Sequence, residues 1–369
     1  MMNDFIIMAT RSMRDYASRV VERLNHFIDT RGEGTMTDGV NALEVQRFAD
    51  GETEAVINTS LRGKQAVLFA GCARNQQGLS VNEAKMELYH TIDAMKRSQA
   101  QKIFVFEPFV SCSRSDRTTR RSSVGLWMHL KILSSLGANH IITYQLHSDK
   151  SKSMVDPTIC ALDDIPALPL LKKRLCDTYI RDLETLEGEV RSHWAFCSVD
   201  AGGEKLARRF ANAFGAPLVL AHKQRDYSRT NSVESIDILS SEPVAGKVLW
   251  IVDDMVDTAG SVEQLVHALA PLKPARINLI AVHAILSNPA LERLNRLSSQ
   301  GLLDKIMVTD TVCSSPALPE QLPNLEVVPS AKLSAEVIGT ILTNNSIGEL
   351  LRPFSASAYF RAPSLFNQI

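Results

Sequence analysis

Apolar residues recur along this chain in two alternating patterns. Short runs rich in branched and aromatic residues occupy positions 67–71, 103–109, 141–146, 195–200, 217–222, 248–254, 277–286 and 306–310. Their apolarity is continuous rather than alternating, which marks strands covered on both faces, as in a parallel sheet. Between them, positions 12–27, 80–97, 124–136, 204–214, 261–272 and 289–297 carry apolar residues at helical spacing. Strands alternating with helices predict βαβ units and an α/β fold.

The alternation runs once before about residue 160 and again after it, with a Pro- and Asp-containing stretch at 155–169 between the two halves. The chain divides on this reading into 1–160, 161–330 and a remainder, 331–369, made of a helix and a tail expected to pack back on the first domain. The final segment, RPFSASAYFRAPSLFNQI, reads as helix-poor and loosely held. A length of 369 residues with 45% hydrophobic content supports two or three domains with real cores and excludes a disordered tail or a collagen-like fibre.

Charge narrows the function classes. Forty Lys+Arg against 41 Asp+Glu give a formal net charge of -1, so no global field draws in nucleic acid or an anionic membrane, and an anionic ligand must be held by local charge. Six scattered cysteines, Cys72, Cys112, Cys160, Cys176, Cys197 and Cys313, form no C-x-x-C pair and read as free thiols in a reducing compartment. The N-terminal apolar run is too short for a signal-peptide core. The longest charge-free stretch is about 15 residues, against about 20 for a membrane span, so the expected location is the cytoplasm, with no membrane and no nucleic acid as partner.

The most specific chemistry lies in VLWIVDDMVDTAGS, 248–261. A buried strand ends in two acids, and a short polar turn then leads into a helix. In a parallel α/β sheet, ligands sit beyond the carboxyl ends of the strands, which places Asp253 and Asp254 at a crevice. Backbone N–H groups of Thr258, Ala259, Gly260 and Ser261 at a helix N-terminus can cradle a phosphate, while the carboxylates accept from vicinal sugar hydroxyls. Helix capping alone needs one such residue, not five polar ones.

This segment resembles the phosphoribosyl diphosphate (PRPP) loop of type I phosphoribosyltransferases and of ribose-phosphate pyrophosphokinases. The rest of the chain favours the pyrophosphokinases. RFADGE (47–52), LRG (61–63), EPFVSCSRSDR (107–117), YQLHSDK (144–150), SVDAGG (198–203), HKQR (222–225), AVHAILSNPALERL (281–294) and VTDT (308–311) resemble that family's segments in order, covering about residues 14–350. The resemblance implies two phosphoribosyltransferase-like domains, each a mainly parallel sheet flanked by helices. The first would make nucleotide and oligomer contacts, and the second would carry the ribose 5-phosphate loop. It implies transfer of pyrophosphate from ATP to the 1-hydroxyl of ribose 5-phosphate, giving PRPP and AMP for nucleotide biosynthesis. Site roles follow from the same resemblance. Lys223 and Arg225 belong to the catalytic loop; Phe48, Asp50, Glu52, Arg114 and Asp116 bind ATP, the first three reaching a neighbouring subunit's site. Asp253, Asp254, Asp257, Thr258, Ala259, Gly260 and Ser261 bind ribose 5-phosphate, and His147 and Asp200 hold Mg²⁺. The implied assembly is a homo-oligomer, dimer or hexamer.

Departures from the family pattern bear on specific points. Gln145 stands where the family has an acid next to the metal site, and Ser115 where it has Gln, so the nucleotide pocket is expected to be rearranged. The segment after Asp116 and residues 70–80 also differ, so regulation by phosphate or nucleoside diphosphate is not implied. Two other readings remain at this stage: a non-catalytic, synthetase-like regulatory subunit, and a PRPP-consuming phosphoribosyltransferase. The latter fits a doubled α/β architecture poorly.

Overall fold

The structure is a computed structural model that describes residues 4–31, 36–73, 78–118, 121–224, 235–312, 317–367 and 369. Its strands, in chain order, are β1 (Phe5–Ala9), β2 (Met36–Asp38), β3 (Leu43–Arg47), β4 (Thr53–Ile57), β5 (Gln65–Phe69), β6 (Lys102–Phe106), β7 (His140–Tyr144) and β8 (Ala161–Ile165) in the first half. The second half contributes β9 (Trp194–Ser198), β10 (Leu218–Gln224), β11 (Ser235–Ser240), β12 (Val248–Val256), β13 (Arg276–Ala284), β14 (Ile306–Thr309) and β15 (Leu325–Val328).

Six strands form a wholly parallel sheet in the order β2-β1-β5-β6-β7-β8, and seven form a second sheet in the order β11-β10-β9-β12-β13-β14-β15. In the second sheet only β11 runs antiparallel, at the edge against β10. Each expected run became a strand, because a parallel strand buried on both faces must be apolar throughout. The chain also holds strands outside those runs. β1 (FIIMA), inside the first sheet, is as long and as apolar as β5 and meets the criterion although it was not singled out, and β8 (ALDDI) carries two acids on an edge. Since β8 pairs with β7 from Tyr144↔Ile165 back to His140↔Ala161, the first sheet extends past the expected boundary at residue 160.

The main helices are α1 (Arg14–Arg31), α2 (Val81–Arg97), α3 (Gly125–Leu136), α4 (Leu168–Tyr179), α5 (Glu204–Phe214), α6 (Gly260–Leu269), α7 (Ala290–Ser299), α8 (Ala331–Leu342) and α9 (Ala356–Arg361). Capping accounts for some of their ends. Ser80 and Glu83 form a reciprocal capping box at the start of α2, and Gly137 and Gly215 close α3 and α5 in left-handed conformations. One core runs through facing layers of both sheets, from Phe5 and Phe69 to Phe196 and Trp250, and a further core covers the outer face of each sheet.

α8 crosses back to α1, where the Tyr16 hydroxyl is 2.7 Å from both Ser330 and Ser334 and Tyr144 is 2.7 Å from Ser334. The last residues are neither helix-poor nor on the first domain. α9 packs on α4 and α5, Phe354 and Phe366 are buried with ring centroids 4.8 Å apart, and the Tyr359 hydroxyl donates to Asp177. Three aromatic rings supply the apolar area that a loose tail would lack. Among the described residues no helix is long and apolar enough to cross a membrane. Cys72, Cys112, Cys160, Cys176 and Cys197 are free thiols, and Cys313 lies outside the described residues.

Candidate active site

The carboxyl ends of the two sheets face a common cavity of about 490 Å³. From the first sheet come Arg114, Asp116 and Arg117, on the loop between β6 and α3, and His147 and Ser148 after β7. The second sheet gives Asp200, Gly202 and Gly203 after β9, Leu206 on α5, and the continuous run Asp253 to Val262 from the end of β12 into α6. The turn that sequence singled out therefore forms a whole wall, and Arg117, Gly202, Gly203 and Leu206 join it without having been assigned a role. The glycines belong to the segment SVDAGG (198–203), where glycine type alone does not separate lining from turn chemistry.

Two contacts span the cavity. His147 Nδ1 lies 2.7 Å from Asp254 Oδ2, and Arg114 Nη2 donates to Asp257 Oδ2 at 2.6 Å. The Asp254 hydrogen bond raises His147 above its ordinary value against the opposing effect of burial. Burial would raise Asp254, yet its hydrogen bond and charge attraction to His147 hold it below the usual carboxylate range. Asp253 goes the other way: burial first, then the Asp254 and Asp200 carboxylates, push it well above that range. Of this adjacent pair, Asp254 carries the charge and Asp253 favours its proton.

The turn from Asp257 to Ser261 is held from behind. Ala259 sits in the left-handed region at φ +58, and the amides that follow open the ten-residue α6. Arg293 on α7 donates to the Thr258 carbonyl at 2.9 Å and pairs with Glu263 at 3.2 Å. A Cβ on Gly260 would come within 3.2 Å of the Arg293 guanidinium, so the glycine leaves room for this brace. Sequence reasoning passed over Arg293, since one Arg on a helix carries no signal of the carbonyl it reaches.

His283 is a second residue that it missed. Fully buried on β13, it donates from Nε2 to the carbonyls of Tyr144 (3.1 Å) and Gln145 (3.3 Å) and accepts at Nδ1 from Thr311 (2.8 Å). Burial drives its pKa down to about 4, so it is neutral and one ring nitrogen must accept. The bond ties the second sheet to the turn that presents His147.

Other expected residues fall elsewhere. Phe48, Asp50 and Glu52 occupy the tip of the β3–β4 hairpin, where the Phe48 amide donates to the Glu52 carbonyl and the Glu52 amide to Asp50. Phe48 is 49% exposed, and none of the three lines the cavity. Lys223 is in β10 opposite Ile236, and Arg225 lies outside the described residues. Gln145 is buried with a left-handed backbone and does not line the cavity, while the Ser115 hydroxyl accepts from the Gly125 amide at the start of α3. Asp200 accepts from the Gly203 amide through one oxygen at 3.0 Å. Among the described residues no group of three or more His, Cys, Asp or Glu could by itself hold a metal ion.

Residues 5–137 match the family model for the N-terminal domain of ribose phosphate pyrophosphokinase, and residues 173–300 match that for the phosphoribosyl transferase domain. The chain is 31% identical over 351 residues to a ribose-phosphate pyrophosphokinase of Thermosipho africanus, covering 95% of this chain and 98% of that protein. It is likewise 31% identical over 307 residues to one of Aquifex aeolicus, covering 83% and 89%. Among solved structures, the phosphoribosylpyrophosphate synthetase from Mycobacterium smegmatis matches with a TM-score of 0.76 at 25% identity, covering 93% of this chain and all of that one.

Proposed function

This chain belongs to the ribose-phosphate pyrophosphokinase family, and from that premise we propose that it transfers the pyrophosphoryl group of ATP to the 1-hydroxyl of ribose 5-phosphate, giving PRPP and AMP in the cavity between its two sheets. The carrying observation is that Arg114 and His147 from the first sheet contact Asp257 and Asp254 from the second, so both halves of the chain complete one site.

Each residue has a physical task in this reading. The amides of Thr258 to Ser261 at the start of α6 accept the 5-phosphate, with the helix dipole aligned. Asp254, ionised, accepts from a ribose hydroxyl, while Asp253, protonated, donates to a hydroxyl oxygen. Arg114 and Arg117 face the triphosphate, and Asp116 accepts from the nucleotide. Phe48, Asp50 and Glu52, exposed on their hairpin, serve the adenine in a neighbouring copy within a homo-oligomer. Lys223 and Arg225, by the family resemblance, stabilise charge on the transferring group, which is where phosphoryl-type transfer gains most.

The donor chemistry fits Mg²⁺. Burial first, and then the Asp254 and Asp200 carboxylates, hold Asp253 well above the usual carboxylate range, a setting that a cation would relieve, and this ion prefers one or two carboxylates with waters and phosphate oxygens over an all-protein cage. Asp200 and His147 would hold it, His147 through the ring nitrogen that Asp254 leaves free. Bound there, Mg²⁺ neutralises phosphate oxygens. The test is to incubate the purified protein with ribose 5-phosphate, Mg²⁺ and each nucleoside triphosphate. AMP and PRPP formed in equal amounts support the reading, and their absence with every triphosphate sinks it.

A further inference from the structure

Four of the five described cysteines are buried, and burial pushes their thiols up: Cys160 to about 11, Cys176 and Cys197 to about 12, and Cys72, beside Glu107, well above the ordinary value. Such thiols are poor nucleophiles. Cys112 differs on three counts. It is only partly buried, its backbone is held in the left-handed region at φ +65, and its sulfur accepts a hydrogen bond from Lys85 Nζ at 3.0 Å. Lys85, on α2, is 7% exposed, and Cys112 Sγ is the only hydrogen-bond partner of its amine among the described residues. A buried amine is normally matched to carboxylates or several oxygens, because desolvation has to be repaid. One sulfur by itself repays little of that cost.

We propose that Cys112 and Lys85 are an oxidative cross-linking site, in which peroxide converts the thiol to a sulfenic acid and the Lys85 amine then captures the sulfur. In the first step sulfur attacks one peroxide oxygen, the O–O bond breaks, Cys–SH becomes Cys–SOH and one water leaves. In the second the nitrogen lone pair forms an S–N bond, the S–O bond breaks, and the departing hydroxide takes an amine proton as a second water. Sulfur is oxidised by two electrons and one peroxide is reduced. Two molecules of an external thiol reverse the change, ending as their disulfide. The 3.0 Å separation already lies at near-attack distance, so capture outruns a second peroxide.

The cross-link acts at a short range from the site. Cys112 is two residues before Arg114, its carbonyl accepts from the Ser115 amide, and Gly125 at the start of α3 packs on its side chain. Closing 3.0 Å to a covalent bond draws this loop toward α2 and displaces Arg114 from the cavity. The activity consequence rests on the pyrophosphokinase reading, whereas the cross-link does not.

Wild-type protein treated with stoichiometric hydrogen peroxide and digested without reductant should yield one peptide joining Lys85 to Cys112, lighter by two hydrogens than its parts. Dithiothreitol should separate them. PRPP formation should fall several-fold with the cross-link and return on reduction, and Cys112→Ser, which keeps a hydroxyl to accept from Lys85, should resist peroxide. Detection of only sulfenic, sulfinic or sulfonic Cys112, with no joined peptide, overturns the proposal. A joined peptide with no change in PRPP formation retains the site and removes its coupling to Arg114.

Discussion

Arg114 and Asp257 meet across the cavity at 2.6 Å, joining a loop assigned to the nucleotide with a turn assigned to the sugar phosphate. Their side chains are 57% and 20% exposed, so the pair itself is worth only about 0.2–1 kcal/mol. On the proposed roles its importance lies in linkage: a substrate that engaged either partner would release the other. Arg114→Ala should raise the KM for ATP and Asp257→Asn that for ribose 5-phosphate, each about tenfold. In the double variant the losses should fall short of the sum by about 0.5–1 kcal/mol. Steady-state kinetics on the four proteins decides this, and strict additivity counts against a coupled pair.

Lys223→Ala and Arg225→Ala should each lower kcat by about a hundredfold or more, with smaller changes in the KM for ribose 5-phosphate, because their charge matters most as the group transfers. Variants matching wild type in kcat would move the role to another cation, with Arg114 first.

Asp200→Asn keeps an oxygen for the Gly203 amide but removes the charge, so folding should survive while the Mg²⁺ concentration for half-maximal rate rises several-fold. His147→Ala should shift it in the same direction. An unchanged Mg²⁺ profile in both variants would give these residues a structural role only.

His283 makes acid stability testable. Its folded pKa of about 4 lies below the unfolded value of about 6.5, so below pH 6.5 the unfolded chain binds a proton that the folded one refuses. The stability lost as pH falls from about 6.5 to about 4 through this group amounts to about 3 kcal/mol. His283→Gln keeps a donor toward Tyr144 and Gln145 but does not titrate, so its urea midpoint should fall less over that range than the wild-type midpoint. Parallel pH profiles would contradict the assignment of a neutral, buried imidazole.

The hairpin at Phe48 predicts complementation between subunits. Co-expressed with a Lys223→Ala chain, a chain lacking the Asp50 and Glu52 carboxylates should recover part of the activity that neither has alone, because one intact site can form from the two copies. Sedimentation as an active monomer, or mixed oligomers with no recovery, would place these residues outside the reaction.

What the sequence determined by itself is what local chemistry imposes. Buried parallel strands must be apolar throughout, so the runs at 67–71, 248–254 and 277–286 announced β5, β12 and β13. Two acids at the end of an apolar strand and a polar turn before a helix stand out locally, so Asp253, Asp254 and Asp257 to Ser261 could be singled out as a crevice wall, while Met255, Val256 and Val262, which also line it, could not. β1 obeys the same apolar rule as β5 and was open to the same reading, whereas the acidic edge strand β8 was not legible, because it is a strand only through its neighbour in the sheet. Nor were contacts between distant segments. No local pattern joins His147 to Asp254 across 107 positions, Arg293 to the Thr258 carbonyl, His283 to the β7 turn, or Lys85 to Cys112. Those pairings follow from how the layers stack, and so does the split between adjacent carboxyls, since Asp253 and Asp254 are the same residue type and differ only in what surrounds them.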